Sequence, residues 1–175
     1  MDGTLADAAA DLPRQGLAAE PGSLFAYTGL GYMVAGRIAE VVTGVEFGAL
    51  MAERLLRPIG ATTATFYQSA ELQAEIPTPY SRKEGEFVKF DLARRAEAAG
   101  NFPNPAGRLV STLDDVGRFL LLHRNRGVAN GRRLLAPDSL QVLYSSQPAT
   151  GTGANGYGLG LNLLKADGNG AVVRI

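Results

Sequence analysis

Apolar residues recur at helical spacing from Leu30 to Val42, and this is the strongest regular pattern in the sequence. Residues that recur three and four apart lie on one face of an α-helix, so the pattern predicts a helix over this range. Gly44 follows at the position where a helix C-terminus favours a residue of positive φ. The apolar residues of the pattern are Leu30, Met33, Val34, Ile38, Val41 and Val42.

Four further helices are predicted along the chain. A short Ala-rich helix is expected within residues 1–20, ending near Gly16. A second is expected to stop at Pro58, because proline cannot donate the hydrogen bond that continues a helix. A third starts after Thr112, and a fourth covers residues 137–144. The predicted inner face of the third consists of Leu113, Val116, Phe119 and Leu120.

Residues 61–107 show no strong period. Within them, Arg82–Phe90 has the pattern of a small hairpin that turns at Glu84-Gly85. Phe102-Pro103-Asn104-Pro105 is expected to be a loop. An irregular stretch of this length is more often the rim of an active site than an idle connector.

The period changes near the end of the chain. Tyr157, Leu159, Leu161 and Leu163 alternate with small or polar residues, which predicts a strand. Residues 167–170 have turn chemistry, and residues 171–175 are expected to form a returning strand. Helices together with this hairpin predict an α+β fold, with helices packed on an antiparallel sheet.

Composition removes several classes of function. The 175 residues are enough for one domain. Lys plus Arg equals Asp plus Glu at 17 each, so no basic excess favours nucleic acid as a partner. Cysteine is absent, which removes disulfides, cysteine zinc sites and thiol catalysis. No apolar run approaches the ~20 residues that a membrane span needs.

Tyr27 stands out because of its surroundings. It lies between Pro21-Gly22 and Gly29, just before the predicted helix that begins at Leu30. Glycines in such a turn let the backbone approach a ligand closely. Taken alone, a tyrosine at this point is more often a half-buried packing residue, because most tyrosines simply pack.

The segments around Tyr27 resemble a known family in their order along the chain. Residues 21–44 are similar to the pattern PG…F.YS(N/G).GY…G.I.E..TG of the serine β-lactamase and penicillin-binding-protein-like family, in particular the branch of class C β-lactamases, DD-carboxypeptidases and related esterases. Four later blocks agree, and the resemblance runs from about Leu17 to Lys165. These blocks are Arg57–Gly60 with Thr65-Phe66, Pro79–Ser81 with Glu84–Glu86, Gly107–Thr112 with Asp115 and Phe119, and Tyr157–Gly160.

The resemblance implies a β-lactamase/transpeptidase-like fold and a covalent mechanism. In the family, the serine of an S-x-x-K motif attacks a carbonyl, a tyrosine in a Y-x-N position handles the proton with the lysine, and a K-T-G or H-x-G strand lines the site. It implies that Tyr27 is the catalytic tyrosine and that Gly29, where many relatives have asparagine, is a substrate-side neighbour. The implied substrate is a small carbonyl compound, with no metal or organic cofactor. Many relatives are periplasmic or secreted.

Two of the family's three elements are missing from the sequence. None of the seven serines has lysine three residues later, Lys165-Ala166-Asp167 is not K-T-G, and His123 is not followed by x-Gly. A free phenol has a pKa of about 10, so a tyrosine that accepts a proton near neutrality needs neighbouring cations. We therefore expect residues 1–175 to be a partial serine-hydrolase domain that lacks the N-terminal S-x-x-K part and the C-terminal H-x-G or K-T-G part. We expect it to be inactive alone.

Other interpretations stay open from the sequence. The chain is also compatible with a non-catalytic truncated product or binding module. Residues 1–5 are similar to the D-x-D-G-T start of haloacid-dehalogenase-type phosphatases. Residues 151–156 form a literal G-x-G-x-x-G, but they follow a predicted helix and open a strand, which favours a loop. His123 is expected to be a cation at the surface or helix end. The particular carbonyl substrate, the compartment and the oligomeric state are not determined by the sequence.

Overall fold

The chain combines helices with small antiparallel sheets, which confirms the predicted α+β class. The structure, a computed structural model, describes residues 4–12, 16–90, 102–146, 156–165 and 171–174. The chain divides into two compact units. The first unit contains residues 1–15, 29–54 and 63–112, and the second contains residues 16–28, 55–62 and 113–175.

The secondary structure is mostly short elements. The helices of the described part are α1 (Leu5–Asp11), α2 (Leu30–Thr43), α3 (Phe47–Met51), α4 (Arg57–Ile59), α5 (Ala70–Glu75), α6 (Leu113–Arg124) and α7 (Pro137–Tyr144), with a π-helical segment at Ala52–Leu56. The strands are β1 (Tyr80–Lys83), β2 (Glu86–Lys89), β3 (Val128–Ala129), β4 (Arg132–Arg133), β5 (Gly156–Tyr157), β6 (Asn162–Lys165) and β7 (Ala171–Arg174). They form the antiparallel sheets β1-β2, β3-β4 and β5-β6-β7. Among these helices, none has the length and apolar content to cross a bilayer.

The core of the first unit is a small cluster of buried apolar side chains. Leu5, Phe47 and Phe66 are buried together, and the rings of Phe47 and Phe66 meet edge to face with centroids 5.2 Å apart. Met33 of α2 packs against this cluster, so that side of the helix is covered. Met51 and Phe102 also pack there. Because burial of such side chains stabilises a fold by about 1.5–3 kcal/mol each, this cluster holds α1, α2 and α3 together.

Helix α2 forms where the sequence predicted it. Its last residue is Thr43, and Gly44 adopts φ of 70° in the left-handed region. Glu40 joins α2 to α3, because its carboxylate accepts a hydrogen bond from the Phe47 N–H at 2.9 Å. The same carboxylate accepts a hydrogen bond from Arg37 of α2 at 3.0 Å. The predicted helix near the N-terminus is also present, but it ends at Asp11 with Leu12 as its cap, before Gly16.

The predicted stop at Pro58 is wrong. The chain remains helical through Pro58 to Ile59, and Gly60 ends it with φ of 81°. Pro58 is the second residue of α4 and directly follows the π-helical segment Ala52–Leu56, so the change of helix type falls where proline removes a backbone N–H.

The predicted inner face of α6 is wrong for three of its four residues, since only Phe119 is partly buried. Leu113 is 85% exposed, and Val116 and Leu120 are exposed as well. The side chains that turn inward are Asp115 at 5% exposure and Leu122 at 0%. Other buried apolar residues of this second unit are Leu56, Ile59, Ala61, Leu140 and Leu161.

The two predicted hairpins have different outcomes. The β1-β2 hairpin turns at Glu84 and Gly85, whose φ angles are 50° and 93°, as predicted. The strand predicted over residues 157–163 is instead broken into β5 and β6, which pair with each other. The chain reverses because Gly160 adopts φ of 80° and Gly158 N–H bonds Leu161 O at 2.8 Å. Strand β7 returns beside β6 as predicted, whereas the predicted turn at 167–170 and the glycines before Gly156 lie outside the described residues.

Candidate functional site

Tyr27 is a solvent-facing side chain in the second unit, with 81% of its surface exposed. The segment that leads to it begins with a tight turn, in which Ser23 N–H bonds Glu20 O at 3.0 Å and the Ser23 hydroxyl donates to the same oxygen at 2.7 Å. Gly22 permits this turn with φ of 80°. The structure therefore does not make Tyr27 a half-buried packing residue.

Two aromatic residues give Tyr27 its surroundings. The ring of Tyr157 meets the ring of Tyr27 edge to face, with centroids 6.3 Å apart and an interplanar angle of 83°. Tyr157 also contacts Phe25, with centroids 5.5 Å apart. We call Phe25, Tyr27 and Tyr157 the aromatic cluster. The sequence motif located Tyr27, but Tyr157 entered the sequence argument only as the first residue of the Tyr157–Gly160 block, without a role.

Tyr157 is held in place by the way β5 docks on the end of α7. A Cβ at Gly158 would lie 2.3 Å from Leu143 O, and one at Gly156 would lie 2.5 Å from the Ser146 hydroxyl. Gly158 has no room for a side chain because the strand approaches the Leu143 carbonyl closely, whereas the close neighbour of Gly156 is the Ser146 side chain. The Leu159 N–H completes the attachment with a hydrogen bond of 3.1 Å to Leu143 O.

Gly29 belongs to the first unit, where it caps the N-terminus of α2. It offers no side-chain cap, and its carbonyl accepts the Met33 N–H at 3.1 Å. A Cβ at this position would lie 2.9 Å from Ala106 Cβ. Ala106 is itself fixed, because its N–H bonds Asn104 Oδ1 at 2.9 Å. An asparagine at this position, as many family members have, would require Ala106 to move. Gly29 itself has no side chain, so it can contact a ligand only through its backbone.

Several serines in the described part have hydroxyls bound to their own local backbone. Ser23 donates to Glu20 O, Ser111 to Thr112 O at 3.1 Å, and Ser145 to Val142 O at 2.8 Å. Ser69 accepts the Leu72 N–H as the cap of α5. A nucleophilic serine is instead recognised by a hydrogen bond to its base, and the sequence motif for such a pair, S-x-x-K, is absent at all four positions.

His123 is not the surface cation that the sequence suggested. It lies in the last turn of α6, and its Nδ1 is 2.5 Å from the hydroxyl of Tyr144. Its ring also meets Phe119 edge to face at 4.5 Å, and its Nε2 is buried without a hydrogen-bond partner among the described residues. Burial lowers the pKa of His123 below its usual value, because a charged ring would lose its hydration. The side chain is therefore a packed, neutral link between α6 and α7.

Another hydrogen-bonded pair, Glu46 and Tyr67, lies at the surface of the first unit, away from Tyr27 in sequence. The carboxylate of Glu46 caps α3 by accepting N–H groups from Gly48 and Ala49, each at 3.0 Å, and the hydroxyl of Tyr67 donates a short hydrogen bond to it. Burial raises the pKa of Tyr67 to about 12, and the hydrogen bond to Glu46 adds to this. The Glu46–Tyr67 pair stabilises the start of α3 and is not part of the candidate site.

Similarity to known proteins identifies the family of this chain. The fold is the β-lactamase/transpeptidase architecture. The family model described as Beta-lactamase matches residues 2–174, so the chain belongs to the beta-lactamase family. This confirms the resemblance drawn from the sequence blocks. It also removes the case for the phosphatase interpretation, and Thr4 of that motif instead caps α1 with Asp7.

A penicillin-binding protein is similar to this chain in sequence, and an amidase is similar to it in fold. Penicillin-binding protein 4 of Amycolatopsis lactamdurans is 30% identical over 147 residues, covering 82% of this chain and 34% of that protein. Protein Rv1367c of Mycobacterium tuberculosis is 30% identical over 115 residues, covering 65% of this chain and 29% of that protein. The crystal structure of D-amino acid amidase from Ochrobactrum anthropi SV3 matches with a TM-score of 0.71 at 23% identity, covering 99% of this chain and 50% of that one. The chain thus spans about a third of the length of these curated relatives.

Proposed function

We propose that this chain supplies the tyrosine element of a serine-hydrolase active site, with Tyr27 as the residue that handles the proton. The observation that supports the proposal is the 81% exposure of Tyr27 on a turn that matches the family motif. The proposed reaction is acyl transfer: a serine forms an ester with the carbonyl of a β-lactam, an ester or a D-Ala-terminal peptide, and water then releases it. Gly29, at the start of α2, is proposed to border the substrate through its backbone.

We further propose that the chain alone does not turn over substrate. The sequence contains no S-x-x-K motif, and four of its serine hydroxyls are bound to backbone within their own turns. The contact that the structure describes for Tyr27 is an aromatic ring, which supplies no positive charge. A phenol needs neighbouring cations to accept a proton near neutrality, since its free pKa is about 10. The nucleophile and the lysine would come from sequence beyond these 175 residues.

Two assays test these proposals. The chain alone is expected to hydrolyse neither nitrocefin nor p-nitrophenyl acetate faster than its Tyr27→Phe variant does. Turnover by the chain that disappears in Tyr27→Phe would refute its inactivity. The second assay uses the same region within a longer protein that includes an S-x-x-K motif and the strand motif.

In that longer protein, Tyr27→Phe is expected to lower kcat about 10²–10⁴-fold, which is the usual contribution of a proton-transferring side chain. Tyr80→Phe is the matched control, because Tyr80 is also an exposed tyrosine, at 60% exposure, and lies on β1. Unchanged turnover in Tyr27→Phe would overturn the catalytic assignment. Absence of turnover in the wild-type longer protein would favour the non-catalytic interpretation.

A further inference from the structure

We propose that Tyr157 is a positioning residue, which fixes the orientation of the Tyr27 ring through the aromatic cluster. The inference deepens the proposed function and rests on it for its catalytic consequence. Tyr157 lies far along the chain from Tyr27, and it contacts both Tyr27 and Phe25. The juxtaposition of these three rings in the second unit is the observation that supports the proposal.

Tyr27 needs an external support because its own segment provides little. With 81% exposure, most of the side chain faces solvent. Exposed side chains change rotamer within picoseconds to nanoseconds unless a neighbour restrains them. Proton transfer requires donor and acceptor at hydrogen-bond distance, and a misplacement of about 1 Å is enough to lower a rate about 10²-fold. A catalytic tyrosine with this exposure therefore depends on whichever group restrains its ring.

Tyr157 has the rigidity that this role requires. Its backbone pairs with Asn162 in the β5-β6 ladder, and the glycines on either side of it seat β5 against residues 143–146. Its ring is only partly exposed and lies against Phe25 with centroids 5.5 Å apart. The edge-to-face arrangement with Tyr27, at 83°, is one that aromatic pairs favour, because the positive edge of one ring meets the negative face of the other.

A contact test on the 175-residue chain separates the positioning claim from catalysis. NMR of the tyrosine-labelled chain would follow the Tyr27 ring signals, assigned by their loss in Tyr27→Phe. We expect Tyr157→Ala to shift these signals toward those of a free tyrosine, because the ring current of Tyr157 is removed. Tyr157→Phe should keep them near the wild-type positions. Identical Tyr27 signals in wild type and Tyr157→Ala would overturn the proposal.

Two further variants keep this test decisive. If Tyr157→Ala does not fold by circular dichroism, Tyr157→Leu preserves an apolar side chain on β5 without a ring and is expected to give the same loss of shift. Leu159→Ala removes an exposed side chain, 50% exposed, two residues away and is expected to leave the Tyr27 signals unchanged. A loss of shift in Leu159→Ala equal to that in Tyr157→Ala would point to general loosening of the segment and would overturn the specific role.

Kinetics in the longer protein test the catalytic consequence. Tyr157→Ala is expected to lower kcat about 10–100-fold with KM nearly unchanged, and Tyr157→Phe should restore most of the activity. If Tyr27→Phe abolishes turnover while Tyr157→Ala does not alter kcat, the positioning role fails and the proposed function stands. If the NMR contact is present but Tyr27→Phe leaves turnover intact, the proposed function fails and the contact remains structural.

Discussion

Gly36 is the glycine of α2 whose replacement should damage the fold most. It is buried within the helix, and a Cβ built on it would lie 2.2 Å from Pro105 Cγ and 3.1 Å from Leu5 Cδ2. The first of these distances is more than 1 Å shorter than the 3.4 Å at which ordinary contact begins. Pro105 is part of the loop at residues 102–105, so Gly36→Ala must push this loop away from α2.

Two opposing effects set the magnitude. Alanine in place of glycine within a helix is favourable by about 0.5–1 kcal/mol. Forcing an extra methyl group into a packed contact typically costs about 1–3 kcal/mol, and a proline ring beside the backbone cannot turn aside. We expect Gly36→Ala to destabilise the chain by about 1–2 kcal/mol, which lowers Tm by roughly 2–8 °C for a chain of this size.

Gly31→Ala is the matched control, since Gly31 lies in the same helix and a Cβ built on it would have no atom from elsewhere in the described part of the chain within 4 Å. It should gain the helix propensity without the clash and raise stability by about 0.5–1 kcal/mol. Urea denaturation followed by circular dichroism measures both variants against wild type. If Gly36→Ala is as stable as Gly31→Ala, the close packing of α2 against Pro105 is refuted.

Three other predictions concern single contacts. Gly29→Ala should lower stability by about 1–3 kcal/mol through its clash with Ala106, and Ala106→Gly in the same chain should recover most of the loss; a double variant as unstable as Gly29→Ala would contradict this explanation. His123 has a lowered pKa in the folded chain, so as pH falls the unfolded chain binds the proton first. The free energy of unfolding should therefore fall as pH drops below about 6.5. Between pH 6.5 and 5, the dependence of this free energy on pH should be weaker in His123→Phe. Tyr67 has a raised pKa, so its contribution to stability is complete below about pH 10 and is lost as pH rises toward 12. Ultraviolet titration should show a late-ionising tyrosine that is missing in Tyr67→Phe and ionises earlier in Glu46→Gln, whereas the late ionisation of Tyr144 should remain in both variants.

Features that depend on local conformation could be predicted from the sequence. Helix α2 and its end at Gly44 follow from side-chain period and from the freedom of glycine at positive φ. The turn at Glu84-Gly85 follows from the same freedom in a two-residue hairpin. In each case the residues that decide the structure lie within a few positions of each other, so no knowledge of distant partners is needed.

Features that depend on distant partners could not be predicted in this way. The apolar residues of α6 suggested a face containing Leu113, yet Leu113 is exposed and Asp115 is buried, because the surrounding elements decide which side of a helix is covered. The alternation at residues 157–163 indicated one strand, although Gly160 turns the chain back within it. Alternation of apolar and polar residues indicates on which face of a strand each side chain lies, but it does not indicate whether the backbone reverses direction.

In the candidate site, too, one residue depends on local sequence and another on a distant contact. Tyr27 could be found because its family places it in a continuous motif beside glycines, where a short run of sequence suffices. Tyr157 could not, because its contact with Tyr27 joins two segments that only the folded second unit brings together. Any catalytic property of a tyrosine that is 81% exposed must come from groups placed around it. The aromatic cluster can fix where the Tyr27 hydroxyl points, but aromatic rings supply no positive charge, so a positioned, proton-handling tyrosine is the part of catalysis that we assign to this chain.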